Sequence, residues 1–245
     1  MSARRTAWQI ADATLLSWRS VRRELGLLIA FIIVFPLGFL FFLGEIVTAS
    51  ERAQVLVGSV MMEMALLNIN VVAQGIGQDK ETHLYDLWVS LPMSPVVYVA
   101  SIAISFLPFS LASAALTLAV GALWFGLAPA SLVAVVAGLM LVWGSTLGIG
   151  FLLAVYGSSP RQINTNAQFV GIIMTFFAPV FYPVSILPLP LQYVAYAWPL
   201  TWGSMLLRGI LEGTSTGLVL SGAVLAGFAA LWIVLIGVGL RWRQD

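Results

Sequence analysis

Glu63 is the residue whose chemistry most needs a cause, because it is the only charge well inside a stretch that otherwise reads as membrane-spanning. An intramembrane carboxylate costs at least about 2.5 kcal/mol on insertion scales, so it marks a function or a specific partner. Proton carriage is one chemistry open to it. A neutral, hydrogen-bonded carboxyl is the other, and no embedded Lys, Arg or His accompanies it to extend a relay. Ser59, Glu63, Asn70 and Gln74 recur at i, i+4, i+11 and i+15, which places all four in one narrow stripe of a helix. Asn164, Gln168, Gly171 and Thr175 do the same at i, i+4, i+7 and i+11. Two such stripes can line a translocation path, or they can be interhelical hydrogen-bond glue worth about 0.6 to 2 kcal/mol per contact. The spacing leaves both readings open.

Other chemistries are missing from the sequence. There is no cysteine, so thiolate metal sites, disulfides and Cys nucleophiles are excluded, and the lone His83 cannot build a metal site. No Gly-rich phosphate loop ending in Lys-Ser or Lys-Thr occurs, no paired His for zinc and no GxSxG elbow. By this reading the chain is not an enzyme and carries no cofactor, and any energy source lies elsewhere. A formal charge of +1 suggests no nucleic-acid partner.

The elements that must position these residues are membrane helices. Of 245 residues 60% are apolar and 9% charged, with a mean hydropathy of +1.00, where soluble domains carry roughly a quarter charged residues. About 20 uncharged residues of helix cross a hydrocarbon core of about 30 Å. On that rule the charges punctuate six spans, at about 25–44, 53–77, 96–125, 132–156, 163–181 and 217–240. The first is long enough to be a retained helix rather than a cleaved signal. The turn GLAPAS at 126–131 divides the third span from the fourth, and Pro108 bends the third.

The stretch 182–212 is too proline-rich to be another span and reads as a re-entrant hairpin, tolerated at membrane depth only where protein or a water-filled cavity surrounds it. The expected fold is thus an all-α membrane protein, a single domain over 1–245. Arg4, Arg5, Arg19, Arg22, Arg23, Lys80, Arg161, Arg241 and Arg243 fall on one side of it, and Arg52 and Arg208 on the other. The positive-inside rule places both termini in the cytoplasm. Trp8 and Trp18 among arginines suggest an interfacial helix before the first span. Gly144 and Gly148 have small-xxx-small spacing, read as close packing within the fold, and Arg208 can pair with Glu212 one turn on.

Two segments carry a resemblance. The loop QDKETHLYDLWVSLPMSP resembles that of type-2 ATP-binding-cassette (ABC) transporter permeases: Asp79, Lys80, Glu81, Asp86, Ser90 and Pro92 match its pattern. His83 stands where the family has Gly, and Leu84 and Tyr85 replace Thr-Leu. The segment FFAPVFYPVSILPLPLQYVAYAWPLTWGSMLLRGILEG is similar to the family's signature around the fifth span, through Pro179, Pro183, Leu187, Pro188, Leu191, Gln192, Pro199, Leu200, Thr201, Arg208 and Gly213.

The resemblance implies a subunit of an exporter in the cell (inner) membrane. It would pair with a second permease, identical or related, and dock two separate ATPase subunits that bind ATP and Mg. Asp79 to Trp88 would form the coupling helix, with Asp79, Lys80, Glu81, His83, Asp86 and Trp88 facing the ATPase. The second and fifth spans would face the path, which assigns Ser59, Glu63, Asn70, Gln74, Asn164, Gln168 and Thr175 to it. Pro179, Pro183, Pro188, Gln192, Pro199 and Arg208 would belong to an outer lid. An amphipathic small molecule or lipid-like substrate fits the apolar interior. A polysaccharide or lipo-oligosaccharide is the alternative, and a self-sufficient proton-coupled carrier centred on Glu63 is the alternative of another class.

Overall fold

The computed structural model describes residues 25–90, 94–127 and 131–239. The expected interfacial helix with Trp8 and Trp18 lies outside the described residues, as do Arg4, Arg5, Arg19, Arg22, Arg23, Arg241 and Arg243. Every regular element among the described residues is helical. In chain order these are α1 (Leu25–Gly44), α2 (Arg52–Glu81), α3 (Leu84–Ser90), α4 (Pro95–Phe125), α5 (Leu132–Tyr156), α6 (Pro160–Phe177), α7 (Leu189–Tyr196), α8 (Pro199–Glu212) and α9 (Leu218–Gly239). Four helical stretches among the described residues are long and apolar enough to cross a bilayer: Ala49–Glu81, Pro95–Phe125, Leu132–Tyr156 and Leu218–Val238. The chain is a multi-pass, all-α membrane protein. The sequence reading puts its first and fifth spans at α1 and α6, which have 20 and 18 residues.

Helix ends follow local chemistry. Ser94, Ser131 and Ser159 cap α4, α5 and α6, each hydroxyl accepting from a backbone N–H three residues on. Pro95 and Pro160 occupy first-turn positions, where a missing N–H costs nothing. Gly126 and Gly213 end α4 and α8 with φ of 70° and 68°, a left-handed conformation that glycine adopts without a steric penalty. Three boundaries differ from the expected ones by three residues or more, one of them the start of α6, which lies at Pro160 directly after its Ser159 cap. Helix α2 continues to Glu81, because Thr82 closes the last turn with its N–H and hydroxyl both on the Gln78 carbonyl (3.0 and 2.9 Å). Helix α6 stops at Phe177, since Pro179 cannot donate the bond a further turn needs.

The bundle is organised around α2. Every residue from Ala53 to Ile69 is buried, and the neighbours doing this are α1, α4, α5, α6 and α8. At 30 residues α2 spans about 45 Å, so it outruns a hydrocarbon core of about 30 Å. Helix α9 lies at the edge against α5 and α8, with Val219, Leu220, Leu231, Ile233, Val234 and Val238 exposed on its outer side. Gly144 and Gly148 face this helix: a Cβ on Gly144 would meet the Ala229 methyl at 3.5 Å, and one on Gly148 would fall on the Trp232 indole. The indole N–H donates to the Ser145 carbonyl at 2.7 Å, so the ring is pinned in the glycine notch. The small-xxx-small pair thus serves packing inside the chain.

This notch predicts an asymmetry between two glycines of the same contact. Gly148→Ala should destabilise the protein by about 1 to 3 kcal/mol through overpacking. Gly222→Ala, whose Cβ would meet Leu141 at an ordinary 3.8 Å, should be neutral. Thermal unfolding of the detergent-solubilised variants measures both, and equal midpoints would contradict the notch.

Candidate functional site

The polar residues of α2 divide into an enclosed group and an open one. In the enclosed part Glu63 accepts from the Thr117 hydroxyl of α4 at 2.8 Å, while its Oε1 has no partner among the described residues. Asn68 bridges two helices: its Oδ1 accepts from Ser110 of α4 at 3.0 Å and its Nδ2 donates to Thr146 of α5 at 2.9 Å. The Thr146 hydroxyl in turn donates to the Val142 carbonyl at 3.0 Å. Ser59 and Thr175 donate to carbonyls one turn back on their own helices, Val55 and Gly171 (3.0 and 2.9 Å). Both are fully enclosed, so their hydroxyls serve the helix itself.

The open group is a ladder of amides. Gln74 donates to Asn70 on its own helix (3.2 Å) and to Asn164 of α6 (2.9 Å), and Gln168 donates to the same Asn164 oxygen (3.1 Å). Asn70 donates to the Leu66 carbonyl at 2.7 Å. Gln74 and Gln168 are exposed, and Phe169, Ile172 and Phe176 continue the open face along α6. The two stripes seen in sequence meet here, through Gln74, Asn164 and their neighbours. Ser59, Glu63 and Thr175 do not join them.

At the Glu81 end of α2 lies the segment that the resemblance makes a coupling helix. It is broken in two: Asp79 to Glu81 are the last turn of α2, and α3 begins at Leu84. His83 makes the break with φ 59°, the one left-handed non-glycine residue among those described. The family's Gly position therefore keeps its glycine-like backbone here under a different side chain. Asp79 accepts from the Tyr98 hydroxyl of α4 at 2.7 Å. Lys80 donates to the Ala154 carbonyl at 2.7 Å, supplying a cation to the last turn of α5. Tyr98 has the rings of Tyr85 and Trp88 beside it, at 6.0 and 6.2 Å between centroids. Burial and the Asp86 carboxylate raise the Tyr85 phenol above its ordinary range, so Tyr85 works as a neutral ring. Glu81, His83, Leu84, Asp86 and Leu87 remain exposed, with His83 3.4 Å from Asp86.

At the Arg52 end, the stretch after α6 forms a short turn of 3-10 helix (Val184–Ile186), then α7 and α8. Pro179 and Pro199 are buried, whereas Pro183 and Pro188 are exposed. Gln192 donates to the Leu187 carbonyl (2.8 Å), Thr201 to Ala195 (2.6 Å) and Trp202 to Tyr196 (2.8 Å), so α7 is stitched to what precedes and follows it. Arg208 pairs with Glu212 at 2.8 Å and also donates to Gln54 at the start of α2 (2.9 Å). A small pocket of about 160 Å³ lies between this stretch and α6, lined by Phe176, Phe177, Tyr182, Leu187, Leu191 and Val194. No cluster of His, Asp and Glu that could hold a metal occurs among the described residues.

Sequence reasoning missed Gln54, Asn68, Ser110, Thr117, Thr146 and Tyr98. Their partners lie on other helices, from 19 positions away for Tyr98 to 154 for Gln54, and no local repeat announces them.

The left-handed turn yields a direct check. An L residue there costs about 1 to 2 kcal/mol, and part of the gain from glycine is returned through the freer unfolded chain. His83→Gly should therefore raise thermal stability slightly, by less than about 1 kcal/mol, and β-branched His83→Val should lower it by at least that much. A stabilising His83→Val would refute the turn geometry.

No curated protein matches the sequence. The family model for the ABC-2 type transporter matches residues 9–211, from before α1 to the end of α8. The match takes in α2, the broken α2–α3 corner, the amide ladder and the paired short helices. The chain belongs to the ABC-2 type transporter family, as a membrane-embedded permease component.

Proposed function

We infer that this chain is the permease subunit of an ATP-driven exporter, which moves an amphipathic small molecule or lipid-like substrate out of the cell by alternating access. The observation that carries the reading is the amide ladder Asn70–Gln74–Asn164–Gln168. Gln74 and Gln168 are exposed although their amide nitrogens are bonded within the ladder, and exposed polar groups are costly in hydrocarbon, so this face is not suited to lipid. It suits a water-filled path shared with a second permease, identical or related, seated against α2 and α6. The apolar continuation through Phe169, Ile172 and Phe176 supplies the surface for the greasy part of an amphipathic cargo.

In this reading α1, α2, α4, α5, α6 and α9 are the six spans, the termini and the Glu81–Ser90 corner are cytoplasmic in the cell membrane, and 182–212 forms the outer lid. ATP and magnesium act in a separate ATPase subunit that binds at the corner. The corner's residues have two jobs. Asp79, Lys80, Tyr85 and Trp88 anchor it to α4 and α5, and Glu81, His83, Leu84, Asp86 and Leu87 form the exposed face that meets the ATPase. A push on α3 then travels through Tyr98 and Asp79 into α2 and α4 as a rigid unit. Glu63 is better placed as a structural group than as a proton carrier, since its one bonded partner among the described residues is Thr117 on the neighbouring helix.

Substitutions separate the two jobs. Glu81→Ala and Asp86→Ala should each weaken co-purification of the ATPase by up to about fivefold, more at low salt, with insertion and thermal stability unchanged. Lys80→Ala and Tyr98→Phe should lower thermal stability first, because each removes an internal bond. Full coupling after scrambling of the exposed face would refute the assignment.

A further inference from the structure

We propose that Gln54 is the positioning residue of the outer lid: its one carboxamide, held on the buried central helix, clamps both the start and the end of the excursion after α6. The inference rests on reading that excursion as the lid of the path. Gln54 is only 6% exposed. Its Nε2 donates to the Val180 carbonyl at 2.6 Å, just past the end of α6, and its Oε1 accepts from Arg208 Nη1 at 2.9 Å, on α8. A side-chain amide can donate to one partner through its nitrogen and accept from the other through its oxygen at the same time. A carboxylate would keep Arg208 and lose Val180, and an aliphatic side chain would lose both.

The surroundings are shaped for this clamp. Val180 is fully buried, so its carbonyl has no water to turn to. Gly58, one turn along α2 from Gln54, forms the notch beside it: a Cβ there would meet the Val180 oxygen at 2.9 Å and the Phe181 ring. The missing side chain lets the start of the excursion lie directly on α2. On the other side, Glu212 holds the Arg208 Nε at 2.8 Å and so aims the remaining guanidinium nitrogens toward Gln54. Lifting the lid from α2 breaks both bonds of a buried amide together, which ties opening to the arrival of water at that end of the path.

The sequence contains no cysteine, so a single reporter can be introduced. Ser204→Cys on α8 is nearly isosteric and 3% exposed, and reacts only when α8 lifts. The probe is a membrane-impermeant maleimide applied to right-side-out vesicles carrying the full chain. Relative to the Ser204→Cys parent, Gln54→Leu should raise the labelling rate about tenfold, and Gln54→Glu, of equal size, by a smaller factor, through the lost buried bonds. Labelling of both variants within twofold of the parent would overturn the clamp. If Gln54→Leu fails to fold, Gln54→Glu alone decides, judged at unchanged thermal stability. The underlying reading is tested apart from this by Leu189→Cys with Gln54 intact: labelling from outside supports it, and labelling only from the cytoplasmic side overturns the lid itself while leaving the bonds of Gln54 in place.

Discussion

A helix enclosed by other helices inside a membrane has no water for its polar groups, and the rest of this structure follows from meeting that constraint on α2. Between Ala53 and Ile69 every residue of α2 is buried, yet this stretch carries Gln54, Ser59, Glu63 and Asn68. Ser59 turns back on its own backbone. The other three draw in neighbours: Gln54 binds α8 and the end of α6, Glu63 binds α4, and Asn68 binds α4 and α5 together. Each contact is modest, about 0.6 to 2 kcal/mol, but apolar surfaces in lipid give helices little reason to choose one partner over another. The polar contacts supply that choice, and the glycine notches at Gly58 and Gly148 allow the close approach.

The same constraint explains what is left open. Beyond Ile69 one face of α2 opens while Val72, Ala73, Ile76 and Gly77 stay buried, and its polar stripe joins that of α6 in a ladder with exposed ends. A bundle that satisfies its buried amides so fully does not leave these facing hydrocarbon without a reason. The function proposed above supplies one, a path that needs polar walls. At the far end of α2 the corner with α3 is fastened by Asp79 and Lys80 to α4 and α5. In the proposed mechanism, a movement imposed on the corner would be carried along the central helix toward Gln54.

Charge spacing made the helices legible, because charges are costly in lipid and fall where spans end. The polar stripes were legible as well, and Gln74 does meet Asn164. Their uniform role was not. Ser59, Glu63, Asn70 and Gln74 share one face of α2, but neighbours cover the first part of that face and leave the second open. Helix periodicity reports direction around an axis and is silent on how far along it a neighbour extends. Lys80 is a related case: in a loop sequence it looks free for a partner, whereas α2 continues through it and delivers it to the end of α5. The partners of Gln54 lie 126 and 154 positions away, beyond the reach of any local pattern.

The central claim is that the ladder face of α2 and α6 borders water and not lipid. Thiol reactivity measures this, since a thiol in hydrocarbon does not ionise and stays inert to maleimide. In membranes, Gln168→Cys on the ladder and Leu231→Cys on the exposed outer side of α9 should separate, although both positions are exposed on the isolated chain. The account predicts ready labelling of Gln168→Cys and none of Leu231→Cys. Equal inertness of the two would show that the ladder faces lipid and would contradict it.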